Sequence, residues 1–413
     1  MTGSKLGAIT AAVLTAAVLV TVAALPGRAV AAAGPTPVTL PAFYRVPHPL
    51  PTGKPGTLIK SERIAVPGVD GTVYRVMYLS KSVRGASVAV TGLVIVPDRP
   101  APARGYPVVS WGHGTNGMAQ QCAPSLQPAQ DVPLADDLLN QGWEVVASDY
   151  QGEGTPGPMP YLVGVDAARN TIDIVQAARH LRVAHAGANY VVWGHSEGGQ
   201  TAMFALEIGT SYAPDLHMVG VVAGAPPSQF NLIYQFLTTS PYRYYLLMAA
   251  VGFTTAYGSA AAPLDRILSP AAMSLVPDLA KGCSGYVQSI ADRYTLAELV
   301  KVDPFTVPKW SALMKANDPA SFTQASRVPL LIIQGADDEQ IPVASTQLLA
   351  QHECSLGQDL ERWIYPGQSH AGVIQPSFGD MVHWIADRFA GVANPDPYMP
   401  NGLPAIETTV CPS

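Results

Sequence analysis

The sequence predicts an α/β protein whose mostly parallel central sheet is covered by helices on both faces. Two observations lead to this fold class. Short runs rich in Val, Ile and Leu alternate with segments of helical periodicity along most of the 413 residues. Apolar residues make up 48% of the chain and charged residues only 13%, which indicates a large packed core and excludes extended disorder.

The N-terminal residues 1–33 are predicted to be a signal peptide. Lys5 precedes an Ala-, Val- and Leu-rich run that ends at Leu25, and small residues suited to cleavage follow. An uncleaved membrane anchor is the alternative, because the run approaches spanning length. Cleavage after residue 31 removes Lys5 and Arg28 but no acid, so the formal net charge of −6 becomes −8. The product would be secreted, with no stable membrane insertion.

The elements that follow are predicted in order from their residue patterns. A Pro-rich lead-in over 35–56 is expected to be extended and to lie on the surface. Short β-branched runs bounded by turn residues indicate strands over 73–79, 87–97, 106–111, 143–149, 189–194, 218–224, 329–335 and 361–367. Apolar residues at helical spacing indicate helices over 133–141, 168–181, 198–208 and 380–391.

The segment 226–326 breaks this alternation and is predicted to be a helical cap inserted into the α/β core. The core is then formed by 34–225 and by 327–413, which includes a Pro-rich tail. The cap segment holds 13 of the 32 aromatic residues. The candidate substrate-binding side chains are among them: Phe230, Tyr234 and Phe236. A small second domain whose aromatics pack only against one another is the alternative.

Composition and motifs exclude several classes of function. The chain has no run of Lys and Arg, so nucleic acid is not an expected partner. It has no HExxH or P-loop motif, and neither a metal nor another cofactor is expected. The four cysteines lack metal-binding spacing, and in an exported protein their even number favours two disulfides. Spacing alone leaves three pairings open among Cys122, Cys283, Cys354 and Cys411.

The candidate nucleophile is Ser196, in the stretch VVWGHSEGGQ over 191–200. In a strand-to-helix turn of the form G-x-S-x-G, Gly194 and Gly198 let the strand and the helix approach closely, and the serine projects above the sheet. A glycine-rich turn without chemistry is the alternative. The strand-like run before the turn and the helical run after it favour the catalytic interpretation.

The candidate base is His370. A serine hydroxyl needs a base, and the order after a serine in such a turn is acid and then histidine. His370 lies in the loop PGQSHAG between the last predicted strand and the last helix, where catalytic residues commonly lie. Of the other histidines after the serine, His217 comes too early to leave room for the acid, and His352 and His383 fall in helical runs.

The candidate acid is Asp338, which follows the predicted strand 329–335. The spacing G-x-x-D-x-x-[IV]-P selects this residue, with Asp337 and Glu339 as alternatives. Adjacent carboxylates also occur in solvated turns and helix caps without any catalytic role.

The candidate oxyanion donors are backbone N–H groups on two segments. One is expected near Thr115 or Asn116 in the glycine-rich stretch SWGHGTNG over 110–117, and the other is the N–H of Glu197. His113 in the same stretch is expected to brace the loop and to take no part in proton transfer.

These stretches together resemble the Candida antarctica lipase A-like secretory lipases of the α/β-hydrolase superfamily. The resemblance runs from about residue 40 to 375, and DYQGEGTPG and GHSEGGQ are its most specific parts. It implies an α/β-hydrolase fold with a helical cap, hydrolysis of triacylglycerol or other carboxyl esters, no cofactor, and a triad of Ser196, Asp338 and His370. It also implies the disulfides Cys122–Cys283 and Cys354–Cys411.

The predicted function is that of a secreted serine carboxylester hydrolase, a lipase or esterase that cleaves acylglycerols or other apolar esters through an acyl-enzyme. A serine peptidase or acyltransferase on the same scaffold is one alternative, because a triad does not by itself distinguish an ester from an amide. A non-catalytic cell-surface binding protein is the other.

Overall fold

The computed structural model describes residues 38–128, 132, 134–392 and 407–411. The predicted signal peptide lies outside the described residues. The same holds for the first residue of the predicted helix 133–141 and for the Pro-rich part of the C-terminal tail. Within the described residues, no helix is long and apolar enough to cross a membrane.

A single sheet forms the centre of the described structure. Its strands are β1 Leu58–Ile64, β2 Gly71–Lys81, β3 Ser87–Pro97, β4 Tyr106–Gly112, β5 Glu144–Ser148, β6 Ala186–His195, β7 His217–Gly224, β8 Leu330–Gly335, β9 Leu360–Tyr365 and β10 Glu407–Val410. Their order is β1-β2-β3-β5-β4-β6-β7-β8-β9-β10. In this order, the neighbouring strands from β5 to β9 pair in parallel. The antiparallel pairs are β1–β2, β2–β3 and β3–β5 at one end of the sheet and β9–β10 at the other.

Helices cover both faces of this sheet. They are α1 Ala135–Asn140, α2 Gly164–His180, α3 Glu197–Tyr212, α4 Phe230–Leu237, α5 Tyr244–Tyr257, α6 Pro270–Leu275, α7 Ser284–Ala291, α8 Leu296–Leu299, α9 Pro308–Ala316, α10 Val343–Leu356 and α11 Ile374–Ala390. One face packs against α2, α3 and α10 through Ile172, Met203 and Leu349. The other packs against α1 and α11 through Leu138 and Trp384. The central strands are therefore buried on both sides, as their continuous apolar runs predict.

The helices α4 to α9 occupy the chain between β7 and β8. Their apolar side chains form a cluster of their own, centred on Phe253 and Trp310, which are both fully buried. The cluster also includes Met118, Tyr161 and Ile341 from loops near the carboxyl ends of the strands. The aromatic residues of this segment therefore pack against the α/β core as well as against one another. The segment covers loops at the carboxyl ends of the strands.

The structure differs from the sequence-based expectation at the two ends of the sheet. The lead-in does not lie wholly on the surface, because Phe43 and Tyr44 are 8% and 3% exposed and pack with Met77 of β2. The edge strands β1 and β10 were not predicted. The sequence of β1, LIKSERI, is largely polar, and an edge strand with one solvated face lacks a continuous apolar run.

Two disulfides link distant parts of the chain. Cys122, in the loop after β4, pairs with Cys283, which immediately precedes α7. Cys354 near the end of α10 pairs with Cys411 just after β10, which fixes the end of the tail to the sheet edge.

Candidate active site

The site is organised around the turn between β6 and α3. Ser196 has φ 59° and ψ −122°, in the left-handed half of conformational space that side chains rarely adopt. Its backbone N–H donates to the carbonyl of Gly224 at 2.8 Å. A Cβ on Gly194 would overlap the carbonyl of Gly198, and a Cβ on Gly198 would overlap that of Gly112. The glycines are therefore needed for the close packing that presents the serine at the carboxyl end of the sheet.

The loop between β9 and α11 places His370 against Asp338, which follows β8. The Nδ1 atom of His370 lies 3.0 Å from Oδ1 and 2.9 Å from Oδ2 of Asp338. The Asp338 carboxylate also accepts the backbone N–H groups of Gln340 at 2.9 Å and Ile341 at 2.8 Å. Burial alone would raise the pKa of Asp338, but the hydrogen bonds from His370 and the two N–H groups outweigh it and lower that pKa. The carboxylate is thus charged and fixed.

The other candidate acids have different roles. Asp337 is exposed to solvent. Glu339 accepts the backbone N–H of His370 at 3.0 Å and so holds the histidine loop. This contact was missed from the sequence, since no pattern in one loop indicates which backbone group of another loop it will meet.

The other candidate histidines are outside the site. His217 is exposed at the start of β7. The Nε2 atom of His352 lies 2.8 Å from the carbonyl of Phe322. The side chain of His383 is 58% exposed on α11. Only His370, of the four histidines that follow Ser196, shares a cavity with it.

Ser196 and His370 line the same cleft, but their side chains are not hydrogen-bonded in this conformation. Within the described residues, the Ser196 hydroxyl has no hydrogen-bond partner. Contacts between a nucleophile and its base are often long in a free enzyme and shorten when substrate binds. Because His370 uses Nδ1 for Asp338, its Nε2 is the atom left to receive the serine proton.

The glycine-rich stretch after β4 passes over the nucleophile. An ideal Cβ on Gly114 would lie 3.6 Å from the Cβ of Ser196, and Thr115 and Asn116 line the cleft with it. Within the described part of the chain, the backbone N–H groups of Thr115, Asn116 and Glu197 have no acceptor. The structure therefore leaves donors from both predicted segments unused beside the serine.

His113 braces this stretch from below. It is 3% exposed, its ring stacks on Tyr150 with centroids 4.2 Å apart, and its Nε2 lies 3.4 Å from a carboxylate oxygen of Glu153. Burial lowers the pKa of His113 to about 4, so the ring is neutral near pH 7. Its Nδ1 lies 2.7 Å from the carbonyl of Gly114.

His195 is a site residue that the sequence did not single out. Its ring centroid lies 4.7 Å from that of His370, and the side chain is buried. Burial lowers the pKa of His195 to about 3, so it meets His370 as a neutral ring. The variable positions of G-x-S-x-G carry no required chemistry, which is why the motif gave no signal for this contact.

An apolar cavity of about 80 Å³ runs from Ser196 into the helices between β7 and β8. Phe230 and Tyr234, four residues apart on α4, both line it. The third candidate, Phe236, does not: it is 38% exposed, because two residues of helix turn it away from Tyr234. Phe236 therefore lies outside this cavity. Ala249, Leu268, Phe305 and Met314 are among the remaining lining residues.

A second, more open cavity of about 490 Å³ meets the first at Ser196. Its lining includes His370 and two of the oxyanion candidates, Thr115 and Asn116. None of the lining residues is Lys, Arg, Asp or Glu. The other polar side chains carry ring N–H groups, amides or hydroxyls, and they are Trp111, His113, His195, Gln121, Gln127, Tyr245, Ser284 and Gln340. We call this space the polar cleft.

In the part of the chain that the structure describes, no group of three or more His, Cys, Asp and Glu side chains could hold a metal ion.

The chain is similar to known lipases in both structure and sequence. The closed-state structure of Candida antarctica lipase A aligns with 89% of each chain at a TM-score of 0.74 and 19% identity, which confirms the predicted α/β-hydrolase fold. Lipase A of Arthroderma benhamiae is 23% identical over 87% of this chain and 81% of its own. A secreted triacylglycerol lipase of Malassezia globosa is 23% identical over 84% of this chain and 81% of its own. The family model described as secretory lipase matches residues 119–396, more than half of the sequence, and the chain therefore belongs to the secretory lipase family.

Proposed function

We propose that this secretory lipase hydrolyses carboxyl esters of apolar acids, with Ser196 as nucleophile, His370 as base and Asp338 as the acid that orients the histidine. Membership of the family makes the chain an ester-hydrolysing enzyme. The observation that carries the residue assignment is the buried His370–Asp338 pair, which shares one cleft with a serine held on a strained turn.

The chemistry follows from these positions. His370 Nε2 removes the Ser196 proton as the hydroxyl attacks the ester carbonyl, and the charged Asp338 stabilises the imidazolium that forms. The N–H groups of Glu197 and of Thr115 or Asn116 bind the tetrahedral oxyanion. His370 then gives its proton to the leaving alkoxide. Water repeats the sequence on the acyl-enzyme, which releases the acid and restores the serine.

The two cavities assign the two halves of the substrate. Both touch Ser196, but His370, Thr115 and Asn116 line only the polar cleft. Because His370 must reach the leaving oxygen, the alcohol half lies in the polar cleft and the acyl chain enters the apolar cavity. An apolar acyl chain fits a lining of aromatic and aliphatic side chains. Lipid esters, the substrates that the name of the Malassezia relative specifies, have this division of polarity.

We also propose a role for each part of the chain. Residues 226–326 serve as the cap, because their helices supply most of the apolar cavity, and 34–225 with 327–413 form the catalytic core. We further propose that residues 1–33 are removed during export. Two disulfides in the structure suit an oxidising compartment.

Substitution of the nucleophile tests the function. Ser196→Ala should reduce hydrolysis of p-nitrophenyl butyrate by about 10⁴-fold or more and abolish labelling by a fluorophosphonate, with unchanged thermal unfolding. Ser211→Ala, an exposed serine on the same helix α3, should retain both. Hydrolysis that survives in Ser196→Ala would remove the assignment. A wild-type protein that is neither labelled nor active would favour the non-catalytic alternative.

A further inference from the structure

The residue after the nucleophile carries a buried carboxyl group that the mechanism above does not use. Glu197 is the first residue of α3 and is only 2% exposed. Neither of its carboxyl oxygens forms a hydrogen bond of regular geometry. An acid placed one residue from a catalytic serine, without a cation to pair it, is costly unless the carboxyl is neutral.

The surroundings of Glu197 come from three elements. Tyr161, which precedes α2, and Tyr245 on α5 both face it closely enough for charge on one to affect the other. The Thr115 hydroxyl, from the stretch that passes over Ser196, lies near enough to favour its charged form. That hydroxyl also lies 2.8 Å from the Tyr161 hydroxyl. The carboxyl, Thr115 and Tyr161 thus form one buried polar group beside the oxyanion donors.

Two effects on Glu197 oppose each other. A helix N-terminus favours the charged carboxylate, by about 1 kcal/mol in ordinary surface positions. Burial favours the neutral acid and is the larger effect, so the pKa of Glu197 is raised to about 8. Burial also raises the pKa values of Tyr161 and Tyr245, which keeps both phenols neutral. Glu197 is therefore the group of this cluster whose charge changes first as pH rises.

We propose that Glu197 is a positioning residue for the reaction: its protonated carboxyl donates to the Thr115 hydroxyl and so holds the oxyanion-binding stretch in its productive arrangement. The inference rests on the proposed ester hydrolysis. A neutral carboxylic acid can donate one hydrogen bond, whereas a carboxylate can only accept. On ionisation, Thr115 must turn to donate to the carboxylate, and a fixed negative charge then lies beside the developing oxyanion. Both changes raise the barrier for acylation.

The pH dependence of kcat/KM distinguishes this role from simple packing. The wild-type secreted protein should show an alkaline decline near pH 8 with a slope of about tenfold per pH unit, as for a single ionisation. Glu197→Gln keeps a neutral donor of the same shape, so the decline should disappear. Glu197→Ala should lower kcat by about tenfold at neutral pH with little change in KM, and Glu197→Gln should recover part of that loss. Glu207→Gln, an exposed acid on the same helix, should keep the wild-type profile.

Two outcomes overturn the proposal while leaving the ester hydrolase intact: an active wild type without an alkaline decline, or a decline that persists in Glu197→Gln. An inactive wild type that also resists fluorophosphonate would instead refute the proposed function. If Glu197→Gln does not fold, infrared difference spectra of the wild type, between about pH 6.5 and 9.5, replace it. A protonated-carboxyl band that is lost with the midpoint of the kinetic decline, and that is missing from the spectra of Glu197→Ala, supports the role. Spectral changes that are the same in the wild type and in Glu197→Ala refute it.

Discussion

At the scale of single residues, three consecutive acids after β8 show how the backbone assigns different roles to similar side chains. The backbone N–H of Asp337 donates to the carbonyl of Gln368 at 2.9 Å, and its carboxylate is left in solvent. The next carboxylate, Asp338, meets His370 Nδ1. The third, Glu339, accepts the backbone N–H of the same histidine. One turn thus fixes both the ring and the loop of the base.

Replacement of Asp338 by Asn should lower kcat/KM by about 10⁴-fold, because a neutral amide neither stabilises the imidazolium nor fixes its tautomer. Asp337→Asn is the matched control and should retain nearly full activity. Steady-state kinetics on a soluble ester, with thermal unfolding as the check of folding, make the comparison. A loss below about tenfold in Asp338→Asn would show that another group orients His370.

Sequence reasoning reached the three candidate residues of the triad by elimination. The glycine pattern around Ser196 and the loop position of His370 are local, so they can be read from the chain. The choice among adjacent acids depends on which carboxylate the N–H groups of Gln340 and Ile341 hold. The ring contact of His195 with His370 joins the end of β6 to a loop 175 positions later in sequence, and no local pattern contains it.

At the scale of elements, α4 and α5 determine the width of the apolar cavity. Ala249 on α5 lines it as a small side chain between larger neighbours. Ala256 lies on the same helix and is similarly buried, but it does not line the cavity. Enlarging each of these two alanines in turn therefore distinguishes the effect of blocking the cavity from the effect of overpacking the helix.

Ala249→Phe should shorten the acyl chains that the protein accepts. The ratio of kcat/KM for p-nitrophenyl palmitate to that for p-nitrophenyl acetate should fall by about tenfold or more, because the ring occupies space needed by a long chain. Ala256→Phe should cost similar stability, about 1–3 kcal/mol for an overpacked core, without a change in that ratio. An unchanged ratio in Ala249→Phe would place the acyl chain elsewhere.

The central elements of the fold could be predicted because each is buried on both faces. The runs that became β4, β6 and β8 are largely apolar, and all six residues of β8 are buried. At the two edges of the sheet, whether a segment forms a strand depends instead on the strand it pairs with. The four residues of β10 form a strand only because β9 lies beside them and Cys411 is tied to α10. Such long-range constraints leave no periodicity in the sequence.

At the scale of the whole molecule, buried carboxyl groups couple folding to pH. Burial raises the pKa of Asp149 to about 6 and those of Asp166 and Asp173 to about 7. An unfolded Asp titrates near pH 3.9. Between these values the native state keeps protons that the unfolded state has lost, so stability falls as pH rises through the native pKa values. The lowered pKa values of His113 and His195 oppose this effect only up to the unfolded histidine value of about 6.5, and the lowered pKa of Asp338 affects stability only at more acidic pH.

The protein should therefore unfold at a higher temperature at pH 5 than at pH 8. Each of the three acids reduces the free energy of unfolding by at most about 1.4 kcal/mol per pH unit within that window. Asp166→Asn can still accept the N–H of Val83, and it should reduce the pH dependence, whereas the exposed Asp215→Asn should not. Calorimetry across the range measures the slope. A melting temperature that rises steadily from pH 5 to pH 8 would contradict this account.

The disulfide between Cys122 and Cys283 restricts how the helices between β7 and β8 can move. Both cysteines line the polar cleft, and the N–H of Ser284 donates to the carbonyl of Asn116 at 2.7 Å beside them. The start of α7 is thus anchored to the stretch over 110–117, which holds the proposed oxyanion donors Thr115 and Asn116. A displacement of other helices in this segment that admits a long acyl chain would leave this anchored corner in place. The alcohol side of the site then keeps its dimensions while the acyl side widens.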